Sequence, residues 1–119
     1  MTRVNSRAKG KRGQLRARKL LEYRGWTIRE TNSGTAVEDL VAVDPMTRIY
    51  AVEVKDCRLV NIPAFVEQAQ RQAKAAKAGW LLMIHIHGTS CWLVMGTGGE
   101  CNVWREPETI RAMEEQDAN

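Results

Sequence analysis

Trp80-Leu81-Leu82-Met83-Ile84 is an unbroken apolar run that follows directly on an alanine-rich stretch and Gly79. A strand with apolar residues at every position needs cover on both faces, so it belongs in a sheet interior with other elements packed above and below. The preceding stretch supplies one cover. After Pro63, from about Ala64 to Ala78, residues Phe65, Ala69, Ala73 and Ala76 fall on one helical stripe whose small alanines let a helix lie close on a sheet, with Gly79 closing it. A second cover is expected from about Arg7 to Arg24, where Ala17, Leu20 and Leu21 recur at helical spacing and Gly25 supplies the stop.

Between these helices the pattern changes to β. Trp26-Thr27-Ile28-Arg29 is a short strand signal followed by the polar loop Thr31 to Thr35. Leu40-Val41-Ala42-Val43 and Ile49-Tyr50-Ala51-Val52-Glu53-Val54 flank Asp44-Pro45-Met46-Thr47, where proline presets the backbone for a turn, and they read as an antiparallel hairpin. Further strands are expected near Cys91 to Met95 and Asn102 to Trp104, joined by a turn at Gly96, Gly98 and Gly99, and Pro107 begins a short acidic helix. The order α-β-β-β-α-β, a meander and then a helical crossover, predicts an α/β or α+β domain with a central mixed sheet flanked by helices. At 119 residues the chain has apolar content for one core, so 1–119 is expected to be one domain, with 1–12 a basic and flexible arm.

Lys and Arg outnumber Asp and Glu by 18 to 14, giving a pI near 9.2 and a surface that attracts polyanions, nucleic acid being the commonest. The excess is concentrated: Arg3, Arg7, Lys9, Lys11, Arg12, Arg16, Arg18 and Lys19 all precede the first acid, Glu22, while Glu106, Glu108, Glu114, Glu115 and Asp117 crowd the other end. Cys57, Cys91 and Cys101 form no C-x-x-C pair, which argues against a disulfide framework or zinc ribbon and suits a reduced, cytoplasmic protein. The basic N-terminus lacks a following apolar segment, and the apolar run at Trp80 is too short for a bilayer, so no membrane association is expected.

Glu53 and Lys55 lie two apart, so on a strand they project from one face. An apolar strand normally excludes both, because unpaired buried charge is costly. If the hairpin closes at Asp44 to Thr47, the residue opposite Glu53 is Glu38 or Asp39, depending on a one-residue choice of register. Two carboxylates pushed together repel unless a cation sits between them, and oxygen ligands that leave room for water suit Mg²⁺. On spacing alone a second reading stays open, a surface ion pair in which Lys55 neutralises Glu53 at the sheet edge.

Asp39-Leu40-Val41-Ala42-Val43, a turn, and Ala51-Val52-Glu53-Val54-Lys55 together resemble the D-(hairpin)-E-X-K core of the PD-(D/E)XK nucleases. More narrowly, Lys9-Gly10-Lys11-Arg12-Gly13-Gln14 followed by Leu20-Leu21-Glu22-Tyr23-Arg24-Gly25-Trp26 is similar to the opening helix of archaeal-type Holliday junction resolvases, including phage-borne ones, K-G-x-x-x-E and then L-L-E-x-x-G-F. Ser33-Gly34-Thr35 and Glu67-Gln68 match in type and order, so the likeness spans about Lys9 to Ile86. It implies a restriction-endonuclease-like fold and a Mg²⁺-dependent endonuclease, with Mn²⁺ substituting, that cuts four-way DNA junctions as a homodimer. Asp39, Glu53 and the Val54 carbonyl would be the metal ligands and Lys55 would position or deprotonate the attacking water, with Gln14 and Gln68 beside the site. DNA contacts would come from Lys9, Lys11, Arg12, Arg16, Ser33 and Thr35, and no small-molecule cofactor is implied. Gln14 departs from the family, which places a glutamate there.

Other residues invite competing readings. His85 and His87 share a strand face and read either as metal ligands lacking a third partner or as strand-end polar packing. Gln68 falls on the sheet-facing stripe of its helix, where a polar side chain needs a partner. Trp92, Val94, Met95 and Trp104 are either a dimer interface or the completion of the core.

Overall fold

The computed structural model describes residues 6–29, 40–58 and 60–117, and side chains between positions 12 and 112 of these. Helix α1 (Ser6–Tyr23) precedes strands β1 (Thr27–Arg29), β2 (Leu40–Val43) and β3 (Ile49–Lys55). Helix α2 (Ile62–Ala76) leads into β4 (Gly79–His85), β5 (Cys91–Gly96), β6 (Cys101–Arg105) and helix α3 (Glu108–Asp117). The strands form one six-stranded mixed sheet in the order β1-β2-β3-β4-β5-β6. Among the described strands only β3 and β4 pair in parallel, and α2 is the crossover that a parallel pair requires.

Both faces of the sheet are covered, as the apolar β4 demands. On one face Leu81 and Met83 join Val52, Ala42, Trp92 and Val94 beneath Ala17, Leu20 and Leu21 of α1 and Ile110 of α3. On the other, Leu82 and Ile84 pack with Ala69, Phe65 and Val66 of α2. Of the two readings of Trp92 and Val94, the structure supports completion of the core: they are 0% and 3% exposed, and alternate β5 side chains fill the α1 face.

The ends of α2 differ from expectation. Asn61 caps the helix, its Oδ1 accepting the Ala64 N–H at 3.1 Å, and Pro63 sits inside the first turn, where its missing N–H costs nothing. The helix stops at Lys77, which adopts the left-handed conformation, so Gly79 opens β4 instead of closing the helix. Among the described residues, no helix is long and apolar enough to cross a membrane.

Candidate functional site

Alternation along β3 sends Tyr50, Val52 and Val54 to the α1 face and Ala51, Glu53 and Lys55 to the α2 face. Glu53 is 3% exposed, and its Oε1 lies 3.2 Å from Lys55 Nζ. The Lys55 ammonium also stands 5.0 Å from the centroid of the Phe65 ring on α2, a cation–π distance, while part of its side chain stays at the surface. A buried carboxylate is thus tied to a cation that reaches solvent at the end of the parallel strand pair. Among the sequence-derived candidates, Glu53 and Lys55 are brought together; Asp39, Ser33 and Thr35 lie outside the described residues, as do the side chains of Lys9 and Lys11.

Gln14 is half-buried on α1, beside Gly13. A Cβ at Gly13 would lie 3.2 Å from Asp56 Cβ and 3.8 Å from Val54 Cγ1, so the absent side chain lets α1 approach the end of β3 closely. Gln68 is half-buried on α2, and Arg12 is exposed on α1.

Arg16 requires a correction. It is only 6% exposed, so it does not stand beside Arg12 as a surface phosphate contact. Its Nε donates to Glu106 Oε2 at 3.1 Å, its Nη2 pairs with Glu106 Oε1, and the guanidinium lies 5.9 Å from the Trp92 ring centroid. The same Nη2 is 3.1 Å from His85 Nε2. His85 in turn has Nδ1 3.0 Å from Asp56 Oδ1 and Nε2 2.8 Å from the Thr89 carbonyl. This buried cluster on the α1 face draws on four separate segments, and sequence reading missed it. One signal was present: Arg16 shares the helical stripe of Gly13, Ala17, Leu20 and Leu21, an apolar face on which a charge must have an internal partner.

The His85 pKa is raised. Burial pushes it down, but the hydrogen bonds to the Asp56 carboxylate and the Thr89 carbonyl push it up and prevail, aided by the Asp56 charge and opposed by that of Arg16. Nδ1 faces the Asp56 carboxylate, Nε2 lies between the Thr89 carbonyl and the Arg16 guanidinium, and the Arg16 charge is met by Glu106. The two histidines do not share a strand face, since β4 ends at His85 and His87 stands exposed in the turn. His85 is strand-end polar packing.

The oxygen donors of Glu53 and the Val54 carbonyl suit a hard divalent cation in preference to a soft one. Among the described residues, no group of three or more His, Cys, Asp or Glu side chains is placed to hold a metal, and both acids expected opposite Glu53, Asp39 and Glu38, lie outside the described residues. Comparison with family models, with curated proteins and with solved structures finds no match to this chain.

Proposed function

We propose that the chain is a Mg²⁺-dependent endonuclease of the PD-(D/E)XK type that acts on branched DNA. The observation that carries this reading is the Glu53–Lys55 pair, a buried carboxylate and a partly exposed ammonium 3.2 Å apart on one strand face. The element order supports it: α1-β1-β2-β3-α2-β4, with the crossover joining a parallel pair, is the order a restriction-endonuclease-like core requires, extended by β5, β6 and α3. The described hairpin ladder ends at Leu40↔Val52, so the acid expected opposite Glu53, Asp39 in this reading, lies outside the described residues.

In this reading Asp39, Glu53 and the Val54 carbonyl hold the cation. When bound, it stabilises the charge that develops on the scissile phosphate and makes water more acidic. Lys55 would position the attacking water or, as the neutral amine, take its proton; in-line attack leaves 5′-phosphate and 3′-hydroxyl ends. Gln14, lacking the family's negative charge, orients water through its amide oxygen, and Gln68 serves near the scissile phosphate. Lys9, Lys11 and Arg12, with Ser33 and Thr35, grip the backbone. Two nicks on the symmetry-related strands of a four-way junction call for two such sites, hence a two-fold homodimer.

Purified protein incubated in Mg²⁺ with labelled four-way, flap and linear DNA tests the substrate class. We expect paired nicks in the four-way junction, and linearisation of a cruciform plasmid within one binding event by a species that sediments as a dimer. Equal cutting of linear duplex or flaps by a monomer points to a general nuclease, and binding without cutting overturns the enzymatic reading.

A further inference from the structure

A cavity of about 700 Å³ opens on the α1 face at the other end of the sheet from Lys55, lined by the starts of β3 and β4 and the end of β5. Its walls include the half-buried rings of Trp26, Tyr50 and Trp104, and the buried Leu81 and Val94 also line it. Trp26 stands 5.3 Å from Tyr50 and 6.2 Å from Trp104, centroid to centroid, at tilts of 49° and 63°. The rings therefore make an aromatic corner, not a closed stack, and Arg24 lies 4.3 Å over Trp104.

Two further observations set this cavity apart from loose packing. A Cβ at Gly79 would fall 2.9 Å from the Tyr50 ring and 3.0 Å from Thr97 Oγ1, so the wall closes as it does only because position 79 has no side chain. Among the described residues, the non-glycine positions with positive φ are Thr47 at 70° and Lys77 at 55°, and both line this cavity. Thr47 makes the β2–β3 turn and Lys77 caps α2, so both belong to the connections that shape the rim of the cavity. Lys77 and Arg48 bring exposed cations to it, while Asp44 Oδ1 accepts the backbone N–H groups of Met46 and Arg48 at 2.9 and 2.8 Å.

We propose that this cavity binds an unpaired nucleotide. The base lies against the indole and phenol rings, the phosphate meets Arg48 and Lys77, and Glu100 and Asn102 face the polar edge of the base. The same chemistry is offered by a free nucleotide and by an unpaired residue in a DNA strand. The site uses neither Glu53 nor Lys55, which lie on the opposite face, and stands apart from the nuclease reading.

Tryptophan fluorescence titration decides it, with adenosine monophosphate, adenosine, inorganic phosphate and a short single-stranded oligoadenylate as probes. Saturable quenching by the monophosphate is expected, weaker by adenosine and absent with phosphate alone. Trp104→Leu should weaken the monophosphate on the order of tenfold, the usual scale of a lost base–ring stack. Lys77→Gly removes a cation and relaxes a left-handed backbone, so it keeps the fold; it should bring the monophosphate down to the adenosine level. Competition by the oligoadenylate assigns the site to unpaired strands, and its failure assigns it to free nucleotides. Quenching that never saturates, or a Lys77→Gly protein that treats monophosphate and adenosine as the wild type does, overturns the proposal. Glu53→Ala should leave the response unchanged whatever it does to DNA cleavage.

Discussion

The end of β3 carries charge toward both faces of the sheet, and the two faces handle it differently. On the α1 face, Arg16, Asp56, His85 and Glu106 close on one another, with the Arg16 and Glu106 side chains 7% and 0% exposed. On the α2 face, Glu53 is buried as deeply as Glu106, but its partner Lys55 runs from the carboxylate past Phe65 to the surface. Burial of a carboxylate therefore does not by itself separate an internal brace from a chemical site. The exposure of the basic partner does: Arg16, its side chain 7% exposed, holds α1 against the strand ends, whereas Lys55, 23% exposed, is placed to meet something from outside.

The largest effect that would break this contrast is on cleavage. Glu53→Ala and Lys55→Ala should each reduce DNA cutting by about a hundredfold or more, the scale of losing a group that stabilises transition-state charge, with DNA binding nearly intact. Gel shift beside a cleavage assay reads both, and retained cutting in both variants makes the pair a structural ion pair with no part in catalysis. The sealed side should respond in stability instead. Arg16→Met strands the buried Glu106 carboxylate and should cost about 3–5 kcal/mol in urea unfolding, whereas Arg16→Met combined with Glu106→Leu should recover most of the loss. A single variant as stable as wild type would show that the network is not a brace.

A smaller effect follows from His85. Its folded-state pKa lies above the ordinary 6.5, so the stability it contributes is full below that value and is lost as pH rises through the raised folded-state pKa. Unfolding midpoints measured across that range should fall with rising pH in the wild type and flatten in His85→Gln. The smallest expected effect concerns Gln14. Gln14→Glu adds a carboxylate to the helix that abuts the end of β3 and should lower the Mg²⁺ needed for half-maximal cleavage by roughly severalfold. An unchanged requirement places Gln14 away from the cation.

What was legible in the sequence follows the range of the interactions. The apolar run of β4, the alanine stripe of α2 and the hairpin around Asp44 to Thr47 are local patterns, and each element formed within a few residues of its expected bounds. The shared face of Glu53 and Lys55 was equally readable, since a two-residue spacing on a strand decides it. The shifts at α2 arose from capping: Asn61 recruited Ile62 and Pro63 into the first turn, and Lys77 took the left-handed turn that Gly79 had been expected to make. The buried network was out of reach of local pattern, because Arg16 lies 90 residues from Glu106 and 69 from His85, and His85 lies 29 from Asp56. Arg16 sits among exposed basic neighbours in the sequence, and only its place on the Leu20 stripe marked it as different. Trp92 was ambiguous for a related reason: an apolar strand residue reads the same whether a helix or a second chain covers it.

The most direct measurement follows a labelled four-way junction with wild-type protein and Glu53→Gln, each in Mg²⁺ and in a chelator. We expect the wild type to make paired nicks bearing 5′-phosphates only in Mg²⁺, and Glu53→Gln to bind the junction and leave it whole in both. A wild-type protein that binds the junction in Mg²⁺ without cutting it, or a Glu53→Gln protein that cuts as fast as wild type, would contradict the assignment of Glu53 and Lys55 as the catalytic pair.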